Sequence, residues 1–159
     1  MLDDDAIARY ARQIVIPGVG AAGQQKLLAS TVLVAGDPRG RDQAALYLRA
    51  AGVRVVLWPG PAGSAIDLAI VADTHALDES ARRELLELGK PVCWYTTDAT
   101  GFTSGVHPGL PLPADDEGAP APSSCPPELH DAAACDAASV ACAILVGLPW
   151  RSVPFRFDC

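Results

Sequence analysis

The chain has 159 residues, the length of one domain and enough to bury a core, and half of its residues are apolar, which excludes wholesale disorder. A formal net charge of −7 and a pI near 4.7 argue against a nucleic-acid backbone as the main partner.

In chain order, residues 5–14 read as a helix, with Ile7, Tyr10, Ala11 and Ile14 at three- and four-residue spacing and acids at the N-terminal end. Pro17 and Gly18 break it, and residues 24–29 suggest a second short helix. Residues 31–35 form a continuous apolar run, the pattern of a buried strand. Residues 43–51 read as a helix with Gly52 placed to end it, and residues 53–58 as a second strand. "PGPAGSA" after it has too little room for another element.

Residues 66–72 read as a third buried strand, 78–88 as a helix closed by Gly89 and Pro91, and 92–96 as a fourth strand. Residues 101–127 are rich in proline and glycine and carry an acidic run, Asp115 to Glu117; they read as an excursion from the domain. A helix rich in small residues is expected over 130–146, and Phe155 and Phe157 alternate with arginines in a final extended segment. Alternating strands and helices imply a three-layer α/β domain with a mostly parallel sheet. The expected parts are a helical arm (1–30), a core (31–100), a loop (101–130) and a C-terminal helix with tail (131–159).

The "MLDDD" start lacks a basic n-region, and no apolar run approaches the ~20 residues of a membrane helix, so a cytoplasmic protein without membrane contact is expected. Five cysteines (93, 125, 135, 142 and 159) without a C-x-x-C pair suit a reducing compartment and offer no zinc site. Cys135 and Cys142 lie seven apart and share a helix face. His75, His107 and His130 are widely separated, and exposed or capping roles are expected for all three.

Three segments carry a resemblance. "RYARQ" at Arg9–Gln13, "GAAGQQKL" at Gly20–Leu27 and the "VLV" of Val32–Val34 resemble the entry to the ThiF/MoeB/HesA family. These are ubiquitin-activating-enzyme-like proteins that adenylate the C-terminal glycine of a ubiquitin-fold sulfur carrier. "ALYLRAAGV" is similar to the family's first Rossmann helix. "DLAIVAD…ARRELLELGKPV" is similar to a later strand, helix and strand, and "DATGFTSGVHPG" to the strand and turn after that. The resemblance covers most of the chain, with a deletion in the middle, and implies a Rossmann-like fold and a homodimer.

The departures fall on the chemistry. The family's G-x-G-G-L-G turn aligns with Gly36 to Arg41, so its three pattern glycines fall on Gly36, Pro38 and Arg41, and only the first survives. Pro38 removes an N–H where the phosphates approach, and Gly40 does not restore the spacing. Arg39 and Arg41 could instead hold a phosphate through their side chains at the helix N-terminus. The acid that ends the family's second strand is replaced by Trp58 and Pro59, and no lysine lies between Lys26 and Lys90 to neutralise ATP phosphates. Asp73 stands near the family's magnesium-binding aspartate; the competing reading is an ordinary strand-end acid.

Arg12 matches the family arginine that reaches into the partner subunit's ATP site, or serves as a dimer-interface or surface ion-pair residue. Cys125 lies where some relatives carry a sulfur-accepting or thioester cysteine, although "PSSCPP" supplies no base or cation to activate it. Cys159 would be the remnant of a zinc-binding pair. The resemblance therefore implies a degenerate member without a cofactor, acting as a binding or scaffolding partner of a paralogue or a ubiquitin-fold carrier. The alternatives are a working adenylyltransferase using ATP and magnesium at Gly36, Arg39, Gly40, Arg41 and Asp73, or a Rossmann domain for another small ligand.

Overall fold

The computed structural model describes residues 2–60, 65–107, 126–150 and 155–158. Two helices, α1 (Asp4–Ile14) and α2 (Gly20–Ala29), precede β1 (Thr31–Gly36), α3 (Pro38–Ala50) and β2 (Arg54–Leu57). Then follow β3 (Leu68–Ala72), α4 (Glu79–Glu87), β4 (Val92–Thr97), β5 (Gly101–His107), α5 (Pro127–Val146) and β6 (Phe155–Asp158). The strands form one sheet in the order β2-β1-β3-β4-β5-β6; β1 to β4 are parallel, and β5 and β6 are antiparallel to their neighbours. The fold is Rossmann-like, with a mostly parallel sheet, flanking helices and an N-terminal helical pair.

Strand periodicity sorts the core into two layers. Val32, Val34, Leu68, Ile70, Cys93 and Tyr95 face the side covered by α3 and α5. Leu33, Ala35, Ala69, Val71, Val92 and Trp94 face the side covered by α4. Because both faces are covered, β1 and β3 are apolar at nearly every position, which is why they were legible as continuous runs.

Several boundaries differ from the sequence reading. Helix α3 starts at Pro38 rather than residue 43, because Asp37 caps it and proline at the first helical position needs no N–H donor. Helix α2 starts at Gly20, and α5 at Pro127. Residues 101–107, read as loop from their composition but as a strand and turn from the resemblance, form β5, whose pairing runs from Val92–His107 to Thr97–Phe102. Its backbone donors and acceptors are met by β4, a partner that local composition cannot reveal.

Helix α5 also overturns the expectation that no apolar run reaches membrane length. Its 20 residues have a windowed mean hydropathy of 1.5. It is a core helix here: Ala133, Ala134, Ala137, Ala138 and Ala141 are buried on the sheet-facing side. Alanine lets the helix axis approach the sheet closely, and Gly147 ends it in the left-handed conformation with φ +83°.

The antiparallel edge is tied by charge. The Arg156 guanidinium on β6 bonds the Asp98 carboxylate with its Nη1 and Nη2, and Nη2 also donates to Thr100 Oγ1 at 2.8 Å. Arg156 holds the Asp98 carboxyl well below the usual range, helped by the Thr100 backbone N–H and hydroxyl. A depressed folded pKa gives stabilisation that is present above the unfolded value of ~3.9 and is lost as pH falls through the folded value. The stability difference between the native chain and Asp98→Asn is therefore expected to shrink as urea denaturation is repeated from pH 6 down to about pH 2.

Candidate functional site

The sheet order places a topological switch point between β1 and β3, with a crevice at their carboxyl ends. Gly36 ends β1 with φ +102°, and a Cβ built on it would lie 1.9 Å from the carbonyl oxygen of Ala72. The next amide, Asp37 N, donates to that same oxygen at 2.7 Å. The first glycine of the turn is thus kept by a backbone contact internal to the sheet.

A helix N-terminus normally offers several unpaired N–H groups to an anion. At α3 each of them has a partner within the chain. Asp37 N is spent on Ala72, and Pro38 has none to give. Arg39 N and Gly40 N both donate to Asp37 Oδ1, at 3.0 and 3.1 Å, and Arg41 N donates to the Asp37 carbonyl at 2.8 Å. The capping carboxylate thus takes two of the first-turn amides that a helix N-terminus would otherwise offer to an anion.

The two arginines are engaged as well. The Arg39 guanidinium reaches Asp131 on α5 through Nε at 3.4 Å and Nη2 at 3.2 Å. Arg41 pairs with Asp42 at 3.4 Å, and its Nη1 lies 3.5 Å from the Trp58 carbonyl. Around this mouth the carboxylates of Asp37, Asp42 and Asp131 outnumber the two guanidiniums.

Gly40 takes a role that its spacing did not suggest. A Cβ there would lie 1.7 Å from Tyr95 Oη and 3.3 Å from the Ala72 Cβ, so the close helix–sheet approach assigned to the third glycine of the pattern is made by Gly40. Arg41, one residue on, turns its side chain to the Trp58 edge instead.

Asp73 lies at the end of β3 and is fully buried, with φ +56°, an unusual conformation for a residue with a side chain. Its carboxylate accepts from His75 N at 3.2 Å and from Thr97 Oγ1 at 2.9 Å. Thr97 Oγ1 is also 3.5 Å from His130 Nε2. With the threonine's one proton directed to Asp73, the inferred histidine tautomer places its hydrogen on Nε2. His130, expected at an exposed or capping position, is 7% exposed. It shares the face of α5 that buries Ala133, Ala134 and Ala137, and that three- and four-residue spacing was the signal that could have located it.

The remaining candidates are not brought to this crevice. Helix α3 runs away from it for 13 residues, about 20 Å, and α1 meets its far end, where Gln13 Nε2 donates to the Ala50 carbonyl. Arg12 is exposed on that remote α1. Cys125 and Cys159 lie outside the described residues, as does the Asp115 to Glu117 run. Burial pushes the Cys93 thiol up, with Cys142 and Asp136 adding to the effect, and burial pushes Cys142 up to about 11; both are thiols rather than thiolates at neutral pH. Among the described residues no cluster of three or more His, Cys, Asp or Glu side chains could hold a metal.

Covered crevice, parallel sheet and helix-capped turn define a Rossmann-like α/β domain. No family model matches the chain. Over 60 residues, 37% of its length, it is 47% identical to the vegetative HesA protein of Trichormus variabilis. Over 52 residues, 33% of its length, it is 48% identical to the adenylyltransferase and sulfurtransferase MOCS3 of Anopheles gambiae. This third of the chain is thus homologous to members of the ThiF/MoeB/HesA family, while the chain spans only 23% of HesA and 12% of that MOCS3. The crystal structure of PaaA superposes with a TM-score of 0.70 at 13% identity, over 99% of this chain and 71% of that one, and supports the fold.

Two substitutions test the crevice. Asp37→Ala should lower stability by about 1 kcal/mol through loss of the cap. Thr97→Val should cost about 1–3 kcal/mol by stripping a donor from the buried Asp73, and Thr97→Ser should recover most of it; urea midpoints at constant slope provide the readout.

Proposed function

We propose that this chain is a degenerate ThiF/MoeB-type protein that does not adenylate a substrate and acts as a binding or scaffolding partner. Its partners would be a second copy of itself and either a paralogue of the same family or a ubiquitin-fold carrier. The observation that carries the reading is the internal satisfaction of the α3 N-terminus by Asp37. Adenylyl transfer is chiefly stabilisation of negative charge, and it needs donors and cations aimed at the phosphates. Here the amides face a carboxylate, Arg39 and Arg41 face aspartates, and Asp73 is enclosed by Thr97 and the chain. These residues do not fit a magnesium nucleotide.

The sheet and helices around the turn support a scaffold because they persist without the phosphate-handling groups. Exposed apolar side chains on α3, Leu46 and Tyr47, are available to a partner. The competing reading is an adenylyltransferase in which Arg39 and Arg41 leave their aspartates to hold the phosphates.

Titration calorimetry with ATP and Mg²⁺ separates the two. The scaffold reading expects no binding tighter than about 1 mM and no pyrophosphate exchange in the presence of a carrier protein. Micromolar binding that is lost in Arg39→Ala or Arg41→Ala would overturn it in favour of the rebuilt site.

A further inference from the structure

Helices α2, α3 and α5 and the turn between α1 and α2 surround an apolar cavity of about 320 Å³. It lies at the C-terminal end of α3, where Tyr47 and Ala51 line it, and so at the opposite end of that helix from the crevice. Leu27 and Val146 are buried in its wall. Ile16 and Tyr47, 47% and 37% exposed, stand where it meets solvent. The space exists because Ala51, Ala138 and Ala143 present only methyl groups to it.

A folded interior rarely keeps a void larger than a water molecule, and an ordered water needs about two to four polar partners. This wall supplies few. Gln13 has given its amide to the Ala50 carbonyl, and burial keeps Cys142 a thiol, a small apolar surface at neutral pH. A charge stands beside the Val146 end of the cavity. Lys26, in the last turn of α2, donates from Nζ to the Val146 carbonyl at 3.1 Å. Among the described residues that neutral oxygen is its hydrogen-bond partner, and no carboxylate is paired with it. The bond satisfies a carbonyl at the C-terminus of α5 and leaves the ammonium with further donors.

We propose that this cavity binds a free medium-chain aliphatic carboxylate, with the alkyl chain inside and the carboxylate on Lys26. At ~30 Å³ for each water-sized group, the space takes a chain of about ten carbons. Burial of the chain supplies the affinity, and the remaining donors of the ammonium set its direction, with the head group at the Val146 end. The cation selects this ligand over a neutral hydrocarbon, and the volume selects it over a membrane-length acyl chain. A protein partner would instead cover Ile16 and Tyr47 from outside and leave the cavity unfilled. The site is separate from the crevice, so it goes beyond the scaffold reading and does not depend on it.

The test is titration calorimetry of the full chain with octanoate, decanoate and tetradecanoate, and with decanol as the neutral control. Decanoate is expected to bind at one site with a Kd below about 100 μM. From octanoate to decanoate the Kd should fall about fourfold per methylene, and tetradecanoate should gain nothing further. Lys26→Met should weaken decanoate binding at least tenfold and leave decanol unchanged, while Lys26→Arg should retain both. Ser139→Phe, at an exposed position of the lining, and Ala143→Phe should each block both ligands and keep the native circular dichroism. Methyl NMR should place the chain through shifts at Leu27, Val146 and Leu148. The inference is overturned by the absence of saturable decanoate binding up to about 1 mM, or by binding indifferent to both phenylalanine variants. A Lys26→Met loss equal for acid and alcohol overturns it too. So does a chain that refuses decanoate while associating with a protein through Ile16 and Tyr47. The nucleotide titration reads the other end of α3, so failure here is distinct from failure of the scaffold reading.

Discussion

The structure turns on the few ångströms between Gly36 and the Ala72 carbonyl. Because no side chain fits there, β1 and β3 stay paired to their last residues, and Asp37 is held by its own amide to the same oxygen. That contact fixes the capping carboxylate over the first turn of α3. With it in place, the first-turn amides of Arg39, Gly40 and Arg41 all find acceptors on Asp37. The glycine brings the ends of two strands together.

A second consequence reaches across the sheet. With α3 set by its cap, Gly40 lies on Tyr95, and Arg39 reaches Asp131 at the start of α5. Helix α5 in turn buries His130 against Thr97, whose hydroxyl donates a hydrogen bond to Asp73. The carboxyl ends of β1, β3 and β4 are thereby joined through neighbouring hydrogen bonds and one exposed ion pair. The buried members matter most, since an unpaired polar group in the interior costs far more than an exposed pair contributes. The arrangement is a floor in which Asp73 and Thr97 are sealed from solvent.

The connection from β2 to β3 is described at residues 58–60 and 65–67. A crossover between parallel strands is ordinarily a helix, yet β2 and β3 are joined without one among the described residues. Trp58 hydrogen-bonds through its amide to Val34 and packs with Val56 on the α4 side of the sheet, covering surface that a helix would otherwise cover.

The sequence by itself determined the apolar runs of β1, β3 and β4, the alternation that makes an α/β sheet, and the loss of two turn glycines. Those features are local, and their periodicity or residue type is printed in the chain. Only the tertiary structure decided how the first turn of α3 is satisfied. Asp37 reads as one more turn residue until its carboxylate is seen to take two amides, and Gly40 reads as misplaced until Tyr95 lies against it. His130 reads as a helix-start residue until α5 is rolled onto the sheet. In each case the deciding partner is distant in sequence or defined by backbone direction, and spacing along a chain carries neither.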